Sequence, residues 1–216
     1  MKTFESPSEK LKDIELKNEA GVFRMKENEE GEVIVELENA EGKKFVLNEL
    51  LPEGWKIVEN NDFGTFAWAS GKEVWIDTEE ARSEGWKYAL SVLHEIGHVL
   101  AFNTQKEHLA HIVGKERLLL SRDTSDAELF EKLQSKDERD AWAYALKQIR
   151  KVTEELNIDI EEAFGGQGDI REYVHEFLLN YKEGGKEYIE KMNLTEEERE
   201  ELLAQVDKLY THKDGE

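Results

Sequence analysis

The sequence predicts an α+β fold: a mostly antiparallel twisted N-terminal sheet, then one long apolar helix, then further helices. Two patterns and one quantity predict it. From about residue 20 to residue 77 apolar residues recur with a period near two, and after Asp77 the period becomes helical. Turn signals in the first half are so closely spaced that consecutive strands are expected to pair as hairpins. Of the 216 residues, 38% are hydrophobic, enough for one sizeable core.

The elements follow in chain order. Residues 1–19 are polar and read as a frayed or weakly helical segment. GVFRM, EVIVELE, KKFVL, WKIVE, GTFAWA and EVWID read as short strands. They are separated by Glu30-Gly31, Glu41-Gly42, Pro52-Glu53-Gly54, Asn61-Asp62-Phe63-Gly64 and Ser70-Gly71. Residues 79–103 read as one helix, with Leu90, Leu93, Gly97 and Leu100 on a stripe that Val92, Ile96 and Val99 widen. Residues 104–124 have a mixed pattern. Ser125 to Gln134 reads as a helix opened by a Ser125/Glu128 capping box, and a longer helix runs from about Asp137 to Leu156. AFGGQGD, residues 163–169, is the most flexible-looking stretch, and Gly165, Gly166 and Gly168 suit either a hinge or a plain linker. Helices near 169–182 and 195–211 end the chain, the last opened by Thr195 and Glu198. This divides the chain into a polar segment (1–19), a core (20–158) and a glycine-containing connection with C-terminal helices (159–216).

Charge narrows the partners. There are 29 basic and 50 acidic residues, a net charge of −21. Such a surface repels nucleic acid and anionic membranes, and it suits basic peptides or divalent cations. Cysteine is absent, so no disulfide forms and any metal must be held by His, Asp or Glu. No stretch approaches the roughly 20 apolar residues of a membrane span. MKTFESPSEKLKDIELK lacks the apolar core of a secretory signal, so a cytoplasmic protein is expected. The Asn193-Leu194-Thr195 sequon then carries no meaning. Nothing in the pattern sets the oligomeric state.

HEIGHVL, residues 94–100, carries the chemistry. Residues four apart lie one turn apart on the same helix face, so His94 and His98 can take two corners of a tetrahedral zinc site. Glu95 points about 100 degrees around the helix, which suits a carboxylate acting on water rather than on the metal. The competing reading is a plain helix with two histidines on one face. With only six histidines in the chain, and with the motif inside a strongly apolar helix, the metal reading is preferred. Gly97 supports it, because a mid-helix glycine costs about 1 kcal/mol against alanine and so calls for a close-packing reason.

A catalytic zinc commonly has three protein ligands and one open corner. Thr104, six residues after His98, and Ala101 exclude the pattern in which the third ligand follows closely. The best candidate is Glu138 in ERDAWAYAL. Glu138, Ala141 and Ala145 share one helix face, and the two alanines let that face approach another backbone. A glutamate brought into such a contact needs a cation. The alternative is that Ser135 and Glu138 form a capping box that starts their own helix. Asp137 and Asp140 lie on other faces. Glu107, His108, His111 and Asp123 remain weaker alternatives. His175 suits packing, or a hydrogen-bond donor that enters the cleft. Trp68, Trp75 and Trp86 lie close enough in sequence to the last strand and the HEIGH helix to line a cleft, though core positions suit them better.

HEIGH followed by Glu138, Ala141, Tyr144 and Ala145 resembles the gluzincin-type HExxH zinc metallopeptidases, especially the ImmA/IrrE-like group. The resemblance covers roughly residues 70–146. It implies zinc held by His94, His98 and Glu138, Glu95 as general base, and a peptide or protein substrate held on the strand around Glu73 to Asp77 by β-augmentation. That group commonly has Asn after the first alanine of the second motif, where this chain has Trp142, and no helix-turn-helix is evident. Two His and a carboxylate also accept Mn, Co or Fe. The alternative function is a non-catalytic zinc-stabilised or partner-binding regulatory protein.

Overall fold

A computed structural model describes residues 13–62, 64–104, 124–191 and 195–210, and it is α+β. Strands β1 (Ile14–Asn18), β2 (Gly21–Glu27), β3 (Val33–Asn39) and β4 (Lys44–Val46) form an antiparallel sheet in chain order. Strict alternation explains its two faces. Phe23, Met25, Val33, Val35 and Leu37 are buried on one. On the other, Arg24 lies 2.8 Å from Glu38 and 2.5 Å from Glu36, and Lys44 lies 2.8 Å from Glu36.

Strand β1 corrects the expectation of a frayed or helical segment up to residue 19. Its sequence IELKN offers only two apolar residues, too few for a local signal. It becomes a strand because β2 supplies a partner, with Ile14 opposite Met25 and Leu16 opposite Phe23. Ile14 is buried there.

A second sheet holds β5 (Lys56–Glu59), β6 (Phe66–Trp68) and β7 (Glu73–Ile76) in the order β5-β7-β6. β6 and β7 are antiparallel, but β5 and β7 are parallel. The last strand is therefore the centre of its sheet, not an edge. The reason is topological: β6 folds back onto the far side of β7, which leaves the near side for β5. This corrects the placement of the substrate platform on residues 73–77, because β7 has both edges occupied. β5 and β6 are the two edge strands.

Asp77 ends β7 and caps α1 (Thr78–Glu84), its carboxylate accepting from the Glu79 and Glu80 N–H groups at 2.8 and 3.1 Å. The single helix expected over 79–103 is instead two. Gly85 adopts φ 64°, a left-handed value open to glycine, and a short 3-10 turn (Gly85–Lys87) redirects the chain into α2 (Tyr88–Thr104). Trp86 fixes that break: its indole donates to the Leu16 carbonyl at 3.2 Å, and its ring packs edge-on against Phe164. Trp86 is therefore a core residue.

Every residue of α2 from Tyr88 to Val99 is buried. A helix apolar on nearly all sides belongs at the centre of a fold, and α2 contacts β6, β7 and the helices that follow. The next described helix, α3, runs unbroken from Thr124 to Leu156. The two helices expected over 125–156 are one. α4 (Ile160–Phe164) and α5 (Gln167–Lys191) follow, then α6 (Glu196–Tyr210), which packs on α3 and α5. In the 163–169 stretch Ala163 and Phe164 are buried, Gly165 ends α4, and Gly168 lies inside α5. No helix among the described residues is long and apolar enough to cross a membrane.

Candidate metal centre

The centre is made by one close helix contact. A Cβ added at Gly97 would stand 3.0 Å from the Ala141 Cα and carbonyl oxygen. Glycine is thus required where α2 crosses α3, and Ala141 and Ala145 are buried on the facing side. One turn before Ala141 that face carries Glu138, so the contact delivers its carboxylate to the histidines. Glu138 lies mid-helix, fourteen residues into α3. It cannot cap a helix start, which removes the capping alternative. Nor does Ser135 cap a helix start: its buried hydroxyl has no hydrogen-bond partner.

His94 Nε2 and His98 Nε2 are 3.0 Å apart, and Glu138 Oε2 stands 3.2 Å from the first and 3.4 Å from the second. His94, Glu95 and His98 are buried, and their ligand atoms all lie within 4.8 Å of one another. That group can hold a metal ion. Glu138 Oε2 has no partner with hydrogen-bond geometry despite its burial. A buried acceptor aimed between two imidazole nitrogens without a hydrogen bond fits a cation held among the three.

The electrostatics of the two imidazoles run in opposite directions. Burial pushes the His94 imidazole down, and neighbouring His98 adds to it, to about 4, so the ring is neutral. His98 is raised: burial opposes its charge, but Asp137 and Glu138 outweigh that. Burial alone would raise Glu138, yet the two imidazoles hold it down to about 2. Burial pushes Glu95 up to about 7, against the influence of His98.

The Ala67 N–H of edge strand β6 donates to Glu95 Oε2 at 2.7 Å. This pins one carboxylate oxygen and leaves Oε1 at 3.8 Å from His94 Nε2. Asp137, expected on another face, instead sets its Oδ2 3.2 Å from His98 Nδ1. A carboxylate on the outer nitrogen of an imidazole fixes its tautomer and aim. His94 Nδ1, in contrast, lacks a hydrogen bond. Its ring is held by stacking, with the Trp142 ring centred 4.2 Å away and tilted 29°. Tyr181 on α5 brings its hydroxyl to 3.4 Å from His94 Nε2.

Sequence reasoning missed Asp137, Trp142 and Tyr181 as neighbours of the centre. Trp142 had a signal, since it is the helix residue next to Ala141 and so borders the face that meets α2. Tyr181 continues the stripe Ile170, Tyr173/Val174, Phe177/Leu178 at helical spacing. His175 is exposed. Trp68 is 41% exposed and packs with Trp75 on the face of the second sheet away from Val74 and Ile76. Glu107, His108, His111 and Asp123 lie outside the residues whose side chains are described. No protein-family model, curated protein or solved structure matches the chain.

Proposed function

We propose that the protein is a zinc-dependent peptidase in which His94, His98 and Glu138 hold the metal and Glu95 is the general base. One observation carries the reading: the triangle of His94 Nε2, His98 Nε2 and Glu138 Oε2, with sides of 3.0, 3.2 and 3.4 Å. Ligand bonds of about 2.0–2.1 Å at tetrahedral angles separate ligand atoms by about 3.3 Å. The triangle therefore suits zinc without rearrangement. Bound there, zinc would supply a Lewis acid that polarises a carbonyl and acidifies water.

The chain's own residues supply the rest. Glu95, with Oε2 held by Ala67, would take the attacking water's proton on Oε1 and return it to the leaving amine. Edge strand β6 is tied to Glu95 through the Ala67 N–H, so an extended peptide laid along that strand would run past the metal. The net charge of −21 favours basic peptides.

A second reading is a metal site that only fastens α2 to α3. The Tyr181 hydroxyl at 3.4 Å from His94 Nε2 favours it, since it occupies space beside a ligand atom where a substrate carbonyl would have to fit. Zinc content and hydrolysis of an unstructured basic peptide, measured on wild type and Glu95→Gln, separate the two. The peptidase predicts one zinc per chain in both proteins and turnover lower in the variant by about 10² to 10⁴. Zinc in both with no turnover in either would leave the fastening role. No zinc in either would end both readings.

A further inference from the structure

We propose that Tyr181 closes the fourth corner of the metal site, so that helix α5 caps the resting centre. The proposal rests on the metal reading of His94, His98 and Glu138. Its geometric basis is a coincidence of spacings. The Tyr181 hydroxyl is 3.4 Å from His94 Nε2. That equals the longest side of the ligand triangle, and it is the separation expected between two ligands of one tetrahedral ion. Three protein ligands leave one corner, and the phenol oxygen is an oxygen donor already at ligand spacing from one of them.

The ring is not there by chance contact. It stacks on His94 with the planes 19° apart and centroids 6.3 Å apart. One turn earlier Phe177 packs against Trp142, and a turn before that Tyr173 does the same. Trp142 in turn stacks on His94. The helix is thus seated on the site by three aromatic side chains in succession, and Tyr181 is the last.

Beyond Tyr181, α5 packs on α6 and Ile189 is buried. A Cβ added at Gly184 would meet nothing within 4 Å, so no packing demands glycine there, and glycine lowers helix stability. Opening the cap would be a rotation of the Tyr181 side chain, since Phe177 and Tyr173 before it and buried Ile189 after it hold the helix in place. A substrate carbonyl would compete with the phenol for the corner. The capped state is formed when the oxygen–metal bond forms and the hydroxyl proton leaves to solvent.

Copper(II) is the probe, because a phenolate bound to it gives a visible charge-transfer band that imidazole and carboxylate ligands do not. The full chain is loaded with copper(II), and its absorption and its metal release to a chelator are compared for wild type, Tyr181→Phe and His94→Ala. The expected result is one copper per chain with the phenolate-to-copper charge-transfer band in wild type, on top of the weak d–d absorption that any copper(II) site shows. Tyr181→Phe should keep the copper, lose the charge-transfer band and release metal roughly tenfold faster. Copper bound without the charge-transfer band, or that band unchanged in Tyr181→Phe, overturns the cap and leaves the metal site standing. No copper uptake beyond that of His94→Ala overturns the metal site, and the cap with it.

Discussion

The candidate centre has two walls built in different ways. The α2–α3 wall is a backbone contact: Gly97 meets Ala141 with no room for a methyl group, and both histidines and Glu138 project from it. The α5 wall is made by side chains. Tyr173, Phe177 and Tyr181 reach across, and Tyr173 anchors the helix by donating to Glu84 and bonding Ser91 at 2.7 Å. The first wall fixes ligand positions to within the reach of the chain itself. The second is set by rotamers and a few polar contacts, so it can shift without disturbing the ligands. A site that must both hold a metal and admit a substrate has use for one wall of each kind.

The comparison breaks or sharpens under four changes, ordered by expected effect. Gly97→Val forces a branched side chain into the α2–α3 contact, and it should cost roughly 3 kcal/mol or more, read as a drop in denaturation midpoint with loss of bound metal. If the variant melts like wild type, the first wall is not a rigid one. Zinc removal by chelator comes next. At free zinc about 100 times Kd the ion should contribute about 2.7 kcal/mol to stability. Thermal melts with and without chelator test this, and His94→Ala should show no difference between the two.

Tyr173→Phe tests the second wall. It removes the bonds to Ser91 and Glu84, and it should cost about 1–2 kcal/mol while metal content stays at the wild-type level. A loss of metal would mean that the walls are not independent. The smallest effect is a pH dependence. Burial pushes the Glu84 carboxyl up to about 7, with Glu80 and Glu176 adding to the shift and the Tyr173 bond and Lys87 opposing it. The folded state then holds a proton that the unfolded chain, titrating near 4.5, has released. The Glu84 contribution is full below about pH 4.5 and declines as pH rises toward 7. Melting temperature followed from pH 5 to 8 should fall more in wild type than in Glu84→Gln. Comparing the two isolates Glu84 from Glu95, whose carboxyl burial also pushes up to about 7. Equal slopes would show that Glu84 does not titrate in that window.

The sequence by itself determined the α+β order, the six strands from Gly21 onward and the apolar helix bearing HEIGH, because periodicity reports which face an element buries. It also determined that Glu138, Ala141 and Ala145 share a face and that Gly97 needs a close neighbour, since helix spacing is a local property. Only the tertiary structure decided that the polar IELKN is a strand, that β7 is central and β6 an edge, and that Glu138 sits mid-helix rather than at a cap. Those outcomes depend on partners distant in the chain, such as Met25 for Ile14 and β5 for β7. The same holds for the surroundings of His94. Trp142 and Tyr181 reach one imidazole from two other helices, and no spacing within either helix encodes which histidine it will meet.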